Sequence, residues 1–174
     1  MVSYEAIKEL RDMTSAGIMD CKDALEKAGG DFKKALEILR EKGVEIASKK
    51  STRITKEGKV ESYVHLGGKI GVLVEVDCET DFVARNEEFG RFVKDLAMQI
   101  AASSPLYIKR EDVPKELVEK QQDTEKFYKE VCLLDQPFIK DESIAINNYL
   151  TSVIAKVGEN IVIKRFTRFQ VGVE

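Results

Sequence analysis

The stretch Thr80-Asp81-Phe82-Val83-Ala84-Arg85-Asn86-Glu87-Glu88-Phe89 combines acidic and aromatic residues in a way that neither a plain core nor a plain loop requires. The run before it, Ile70-Gly71-Val72-Leu73-Val74-Glu75-Val76, reads as a buried strand. After it, Phe89, Phe92, Val93, Leu96 and Ile100 recur at spacings of three and four, the period of one helix face. A carboxylate and a phenyl ring therefore meet at a strand-to-helix junction, where chain segments are usually exposed. Two readings follow. Asp81 caps the coming helix while Phe82 tucks under its own sheet, or both face outward as a contact for another protein's surface. Residue types alone leave these two even.

Other chemistries fit less well. Asp77, Glu79, Asp81 and Glu88 fall at positions one, three, five and twelve of a calcium-binding loop. Position six is then Phe82, where a sharp turn needs glycine, and position nine is the cation Arg85. The preceding segment is also a strand where a helix is needed, so calcium binding is set aside. The single histidine, His65, sits in a strand pattern, and neither a nucleophile elbow nor a phosphate-binding loop occurs. This points to no reaction of the chain's own. Cys21, Cys78 and Cys132 are odd in number, far apart and unpaired by any C-x-x-C, which predicts small buried thiols over a zinc or disulfide framework. Ile18 continues an inward stripe with Cys21 and Leu25. Met19 lies off that stripe beside a turn, where a flexible thioether suits an adaptable contact surface.

Composition narrows the partners. With 174 residues, 34% charged and 43% hydrophobic, the chain can build a core, as one mid-sized domain or a small module plus a larger one. A formal net charge of -3 argues against a dedicated nucleic-acid binder. No apolar run approaches the ~20 residues of a membrane span, and the N-terminus opens directly into a charged amphipathic pattern. Cytoplasm is the expected location.

Elements must hold these residues in place. Residues 1–43 predict three short helices, with Ser3 and Asp31 as caps and Gly29-Gly30 ending the second. Phe32, Ala35, Leu36 and Leu39 form the inner face of the third, which is expected to end before Gly43. Residues 44–59 read as a fraying helix followed by a basic, solvated linker. Val60, Ser62 and Val64 then alternate with Glu61, Tyr63 and His65, and Leu66-Gly67-Gly68-Lys69 predicts a hairpin turn into the 70–76 strand. A helix over 86–102 follows. Pro114 suits the start of a polar helix through Leu117 and Val118, partly detached from the core. Ile146, Tyr149, Leu150, Val153, Ile154 and Val157 mark another helix, closed by Gly158, and 160–171 reads as a last strand. The whole predicts an α+β fold with about three antiparallel strands against helices, divided into an N-terminal module over 1–54 and a core over 55–174.

The junction at Thr80–Phe89 closely resembles the signature of the elongation factor Ts family. Leu10-Arg11-Asp12-Met13-Thr14-Ser15-Ala16-Gly17-Ile18-Met19-Asp20-Cys21-Lys22-Asp23-Ala24-Leu25 is similar to that family's second motif. Leu133-Leu134-Asp135-Gln136-Pro137-Phe138-Ile139-Lys140-Asp141 and Gly158-Glu159-Asn160-Ile161-Val162-Ile163-Lys164-Arg165-Phe166 are similar to two more, in the family's order. The resemblance implies a non-enzymatic exchange factor that binds elongation factor Tu, both with GDP and free of nucleotide. It implies that Thr80, Asp81, Phe82 and Val83 contact the partner near its Mg²⁺ and nucleotide, and that Ile18 and Met19, on a ubiquitin-associated-like three-helix module, hold it in register. The metal and nucleotide would be the partner's, so the chain would need no cofactor. Longer family members duplicate the core half. This chain has no internal repeat, looks like a short form, and would form a homodimer to supply the missing surface. Ser15 stands where the family carries glycine, a costly exchange wherever positive φ is needed. A pure interaction module, binding without driving exchange, is the competing class, and an enzyme the least supported.

Overall fold

The computed structural model describes residues 2–14 and 16–173. Ser15, the serine-for-glycine position, lies outside them. Three helices open the chain: α1 (Tyr4–Thr14), α2 (Ile18–Lys27) and α3 (Phe32–Lys50). Leu10, Cys21, Ala24, Leu25 and Ala35 are buried where they meet, with Ile7, Phe32, Leu36 and Leu39 packed around them. The predicted caps hold. Ser3 Oγ accepts from Ala6 N at 3.2 Å, and Asp31 accepts from Lys33 N and Lys34 N. Ile18 departs from its expected inward place, being 49% exposed. Helical side chains lean toward the N-terminus, so a residue in the first turn projects beyond the cluster that Cys21 and Leu25 fill.

The third helix does not end before Gly43. It continues to Lys50, with Gly43 buried. One interior glycine costs only about 1 kcal/mol relative to alanine, and here its bare backbone lies against α8 (Ile146–Val157). A Cβ at Gly43 would stand 3.6 Å from Thr151 Cγ2 and 4.0 Å from Ala155 Cβ. The residues expected to fray are held by that packing, and Ala47 rests on the larger apolar cluster.

The larger cluster underlies a sheet of β1 (Glu57–Val64), β2 (Ile70–Cys78) and β5 (Ile161–Gln170), in the order β1-β2-β5 and antiparallel throughout. The predicted hairpin joins β1 to β2, with Gly67 and Gly68 at positive φ. From β2, Val72, Val74, Val76 and Cys78 point inward. They meet α5 (Glu87–Ser103), whose Phe89, Phe92, Val93, Leu96 and Ile100 are fully buried as their spacing predicts. α8 completes the layer and ends where Gly158 takes φ 76°. The valines of β1 occupy the other face: Val60 and Val64 are largely exposed, while Lys59, Glu61 and Tyr63 lie half-buried.

The segment between α5 and α8 is less regular than its sequence suggests. The helix expected at Pro114 is one turn, α6 (Lys115–Val118), and a separate α7 (Thr124–Val131) follows. Arg110 fastens α7 by bonding Glu125 and Asp135 and lying 4.6 Å from the Tyr128 ring centre. A small hairpin, β3 (Pro137–Phe138) and β4 (Asp141–Ala145), was not expected, because it is too short and too polar to show alternation. Two buried amide side chains anchor it. Gln99 Oε1 accepts from Ile139 N at 2.9 Å, while Gln136 Nε2 donates to Glu130 O at 3.0 Å.

Candidate functional site

The acidic and aromatic segment is itself a helical turn. β2 ends at buried Cys78, and Thr80 follows in an extended conformation as the cap of α4 (Asp81–Ala84), its Oγ1 accepting from Val83 N at 3.4 Å. Successive helical residues are rotated by about 100°, so burying one aims its neighbour elsewhere. Val83 is 3% exposed, anchored in the core cluster, and the preceding Phe82 is 78% exposed. Asp81 also faces solvent and pairs with Arg85 at 3.3 Å.

This arrangement overturns the inward reading of the junction. Capping falls to Thr80 for α4 and to Asn86 for α5, whose Oδ1 accepts from Glu88 N at 2.8 Å. Asp81 is left uncommitted to either helix, and Phe82 does not fold under the sheet. A large apolar ring held in water by a capped turn forgoes the roughly 1.5–3 kcal/mol that its burial would contribute. Exposed, singly paired carboxylates such as Asp81 are held by less than about 1 kcal/mol and are easily re-paired.

A network that sequence reasoning missed holds this turn from behind. Glu159, just beyond α8, receives Thr80 N–H on Oε2 at 3.1 Å and the Thr80 hydroxyl on Oε1 at 2.7 Å. Beside it, Asn160 is 4% exposed and donates its backbone N–H to Glu79 Oε1 at 2.6 Å. Its side-chain amide donates to Arg53 O at 2.9 Å, just past α3. The available signal was a helix-closing glycine followed at once by a carboxylate and an amide.

The second patch lies at the start of α2, where Met19 is 61% exposed beside Ile18. The same helix buries Cys21, Ala24 and Leu25 in the small three-helix cluster, whereas Val83 belongs to the core cluster. The two patches thus rest on different apolar supports.

Elsewhere the groups weighed for chemistry are mostly paired or buried. Of the four carboxylates of the calcium reading, Glu79 serves Asn160, Asp81 pairs with Arg85, and Glu88 accepts from Lys156 at 2.9 Å. Burial, with Glu75 nearby, raises the Asp77 carboxyl above its ordinary value. Among the described residues no group of three or more His, Cys, Asp and Glu could hold a metal. Cys21, Cys78 and Cys132 are buried free thiols, and burial pushes Cys78 and Cys132 up to about 11. His65 Nδ1 lies 3.1 Å from the Tyr63 hydroxyl on the exposed hairpin. Among the described residues no helix is long and apolar enough to cross a membrane.

The chain matches the sequence family described as Elongation factor TS over residues 5–125 and 123–173. It is 52% identical to the elongation factor Ts of Carboxydothermus hydrogenoformans, across 99% of this chain and 90% of that protein. The elongation factor Ts of Thermodesulfovibrio yellowstonii is 51% identical, across 98% of this chain and 96% of its own length. That of Caldanaerobacter subterraneus subsp. tengcongensis is 52% identical, across 99% and 98%.

Proposed function

The chain belongs to the elongation factor Ts family, and from that premise we propose that it is a non-enzymatic guanine nucleotide exchange factor for elongation factor Tu. The observation that carries this is Phe82, 78% exposed on a capped turn with the Asp81 carboxylate next to it. An exchange factor needs no acid, base or cofactor. It must bind the nucleotide-free partner more tightly than the GDP-bound one, and by reciprocity GDP and the exchange factor then weaken each other's hold. Phe82 enters an apolar pocket of the GTPase domain, and the roughly 1.5–3 kcal/mol of its burial favours a displaced arrangement there by tenfold or more. Asp81 exchanges Arg85 for groups that support the partner's Mg²⁺. Thr80 and Val83, expected to contact the partner, set the turn instead, Thr80 being bound to Glu159 and Val83 buried. Met19 and Ile18 hold the partner from the N-terminal module, residues 1–54, and the core, residues 55–174, presents the signature. GTP then rebinds in place of GDP.

The same proposal includes a homodimer acting in the cytoplasm, with neither nucleic acid nor membrane as partner. Its support is the outer face of the sheet, where Val60, Val64, Leu73 and Phe169 stand exposed. Register aligns Val64 with Gly71 and Gly71 with Phe169, and Val60 and Leu73 lie an even number of positions away on the same strands. These side chains therefore share one surface, with the Glu75–Arg165 ion pair beside Val60. A second copy of the chain is the occupant that fits, its own face being equally apolar.

Release of fluorescent GDP from elongation factor Tu tests the exchange reading. The protein should accelerate release, and Phe82→Ala should remove most of that acceleration while still binding through the N-terminal module. Binding without any change in the release rate would reduce the protein to an interaction module.

A further inference from the structure

The Gly158-Glu159-Asn160 turn has a place in the sequence motifs but none yet in the mechanism. Gly158 adopts the left-handed conformation that ends α8, and this reverses the chain so that Glu159 and Asn160 face the end of β2. Both Glu159 oxygens are spent on one residue, Thr80. A hydroxyl has one hydrogen and two lone pairs. With its hydrogen committed to Glu159, the Thr80 oxygen can only accept on its remaining side, where Val83 N–H lies at 3.4 Å. The carboxylate therefore orients the cap, the cap closes α4, and α4 sets the direction of Phe82. Asn160 ties the same turn to the C-terminal end of α3. Its amide donates to Arg53 O and Ser51 O, immediately beyond the helix on which α2 packs. Lys50 Nζ adds a bond to Gly158 O.

We propose that Glu159 is a positioning residue for nucleotide exchange: gripping Thr80 with both oxygens, it presets the α4 turn so that Asp81 and Phe82 meet the partner already ordered. This rests on the exchange reading above. A preset turn spends the binding energy of Phe82 on displacing partner elements, where a loose one would first have to order itself.

The experiment measures GDP release from elongation factor Tu over a range of exchange-factor concentrations, separating the maximum rate from the half-saturating concentration. The proteins compared are the unmodified chain, Glu159→Ala, Glu159→Gln, Thr80→Val and the double variant Thr80→Val with Glu159→Ala. Losing two hydrogen bonds to a charged acceptor should lower the maximum rate in Glu159→Ala by about tenfold. The half-saturating concentration should move less, because the N-terminal patch is untouched. Glu159→Gln keeps a carbonyl for one Thr80 bond and should recover much of the rate. The double variant should be no worse than the more damaged single one, since both changes break the same link. Amide hydrogen exchange of the free proteins gives a second readout: Val83 N–H should lose protection in Glu159→Ala, while amides in the middle of α5 keep theirs. Unchanged maximum rate in Glu159→Ala, equal damage from alanine and glutamine, or multiplying losses in the double variant would each overturn the proposal. Failure of the unmodified protein to accelerate release would instead strike the exchange reading, and the role assigned to Glu159 with it.

Discussion

At the scale of single residues, side-chain direction decides more than residue type. Phe82 and Phe89 are the same residue seven positions apart, yet one is 78% exposed and the other fully buried. Spacing places Phe89 in a stripe with Phe92, Val93 and Leu96, whereas Phe82 belongs to a turn too short to show any period. By type Asp81 is the candidate cap, and Thr80 takes that place instead. Thr80 caps because Glu159, seventy-nine positions away, orients its hydroxyl, and no local pattern carries that information. Buried thiols give a prediction at this scale. Cys78 and Cys132 ionise near 11 in the folded protein, against an ordinary value of 9.0. Between those values the unfolded chain loses thiol protons that the folded chain keeps, so stability falls as pH rises through this window. The melting temperature should drop from pH 9 to pH 11, and replacing both cysteines by alanine should make that drop shallower. An equal drop in the double replacement would assign the loss to other groups.

Among the elements, α3 departs most from expectation. Its nineteen residues span about 28 Å at 1.5 Å per residue. The first half buries Ala35 in the three-helix cluster, and the second lays Gly43 and Ala47 against α8 and the core. Glycine and a basic tail signal a helix end when read locally, and only the surface of α8 reverses that. Gly43→Ala tests the account. The added methyl would meet Thr151 and Ala155 at ordinary contact distances, so the helix should gain up to about 1 kcal/mol, or a rise in melting temperature of a few degrees. Gly43→Leu has no such room and should destabilise by about 1–3 kcal/mol through forced separation of α3 from α8. Thermal denaturation of both variants checks the sign of each. If both destabilised equally, the close approach of the two helices would be wrong.

At the scale of the whole molecule, helices cover one face of the sheet, and among the described residues none covers the other. The bare face carries Val60, Val64, Leu73 and Phe169, and its apolar character underlies the proposed homodimer. Leu73 sits on the central strand, paired with Ser62 on one side and Thr167 on the other. A charge there in Leu73→Asp would remain solvated in a monomer but be buried unpaired between two copies. Sedimentation should therefore show the unmodified chain as a dimer and Leu73→Asp as a folded monomer. A monomeric unmodified chain at tens of micromolar would remove the homodimer from the proposal without touching Phe82.

The sequence by itself determined the α+β class, the strands β2 and β5, the long α5 and α8, and the caps of α1 and α3. Each of these rests on local propensity and on periods that repeat several times within one element. Tertiary structure alone decided which way β1 turns its valines, how far α3 extends, and that Phe82 points outward from a turn locked by Glu159. Those outcomes depend on surfaces brought together from distant parts of the chain, and a short turn or a single glycine holds too little local free energy to resist them.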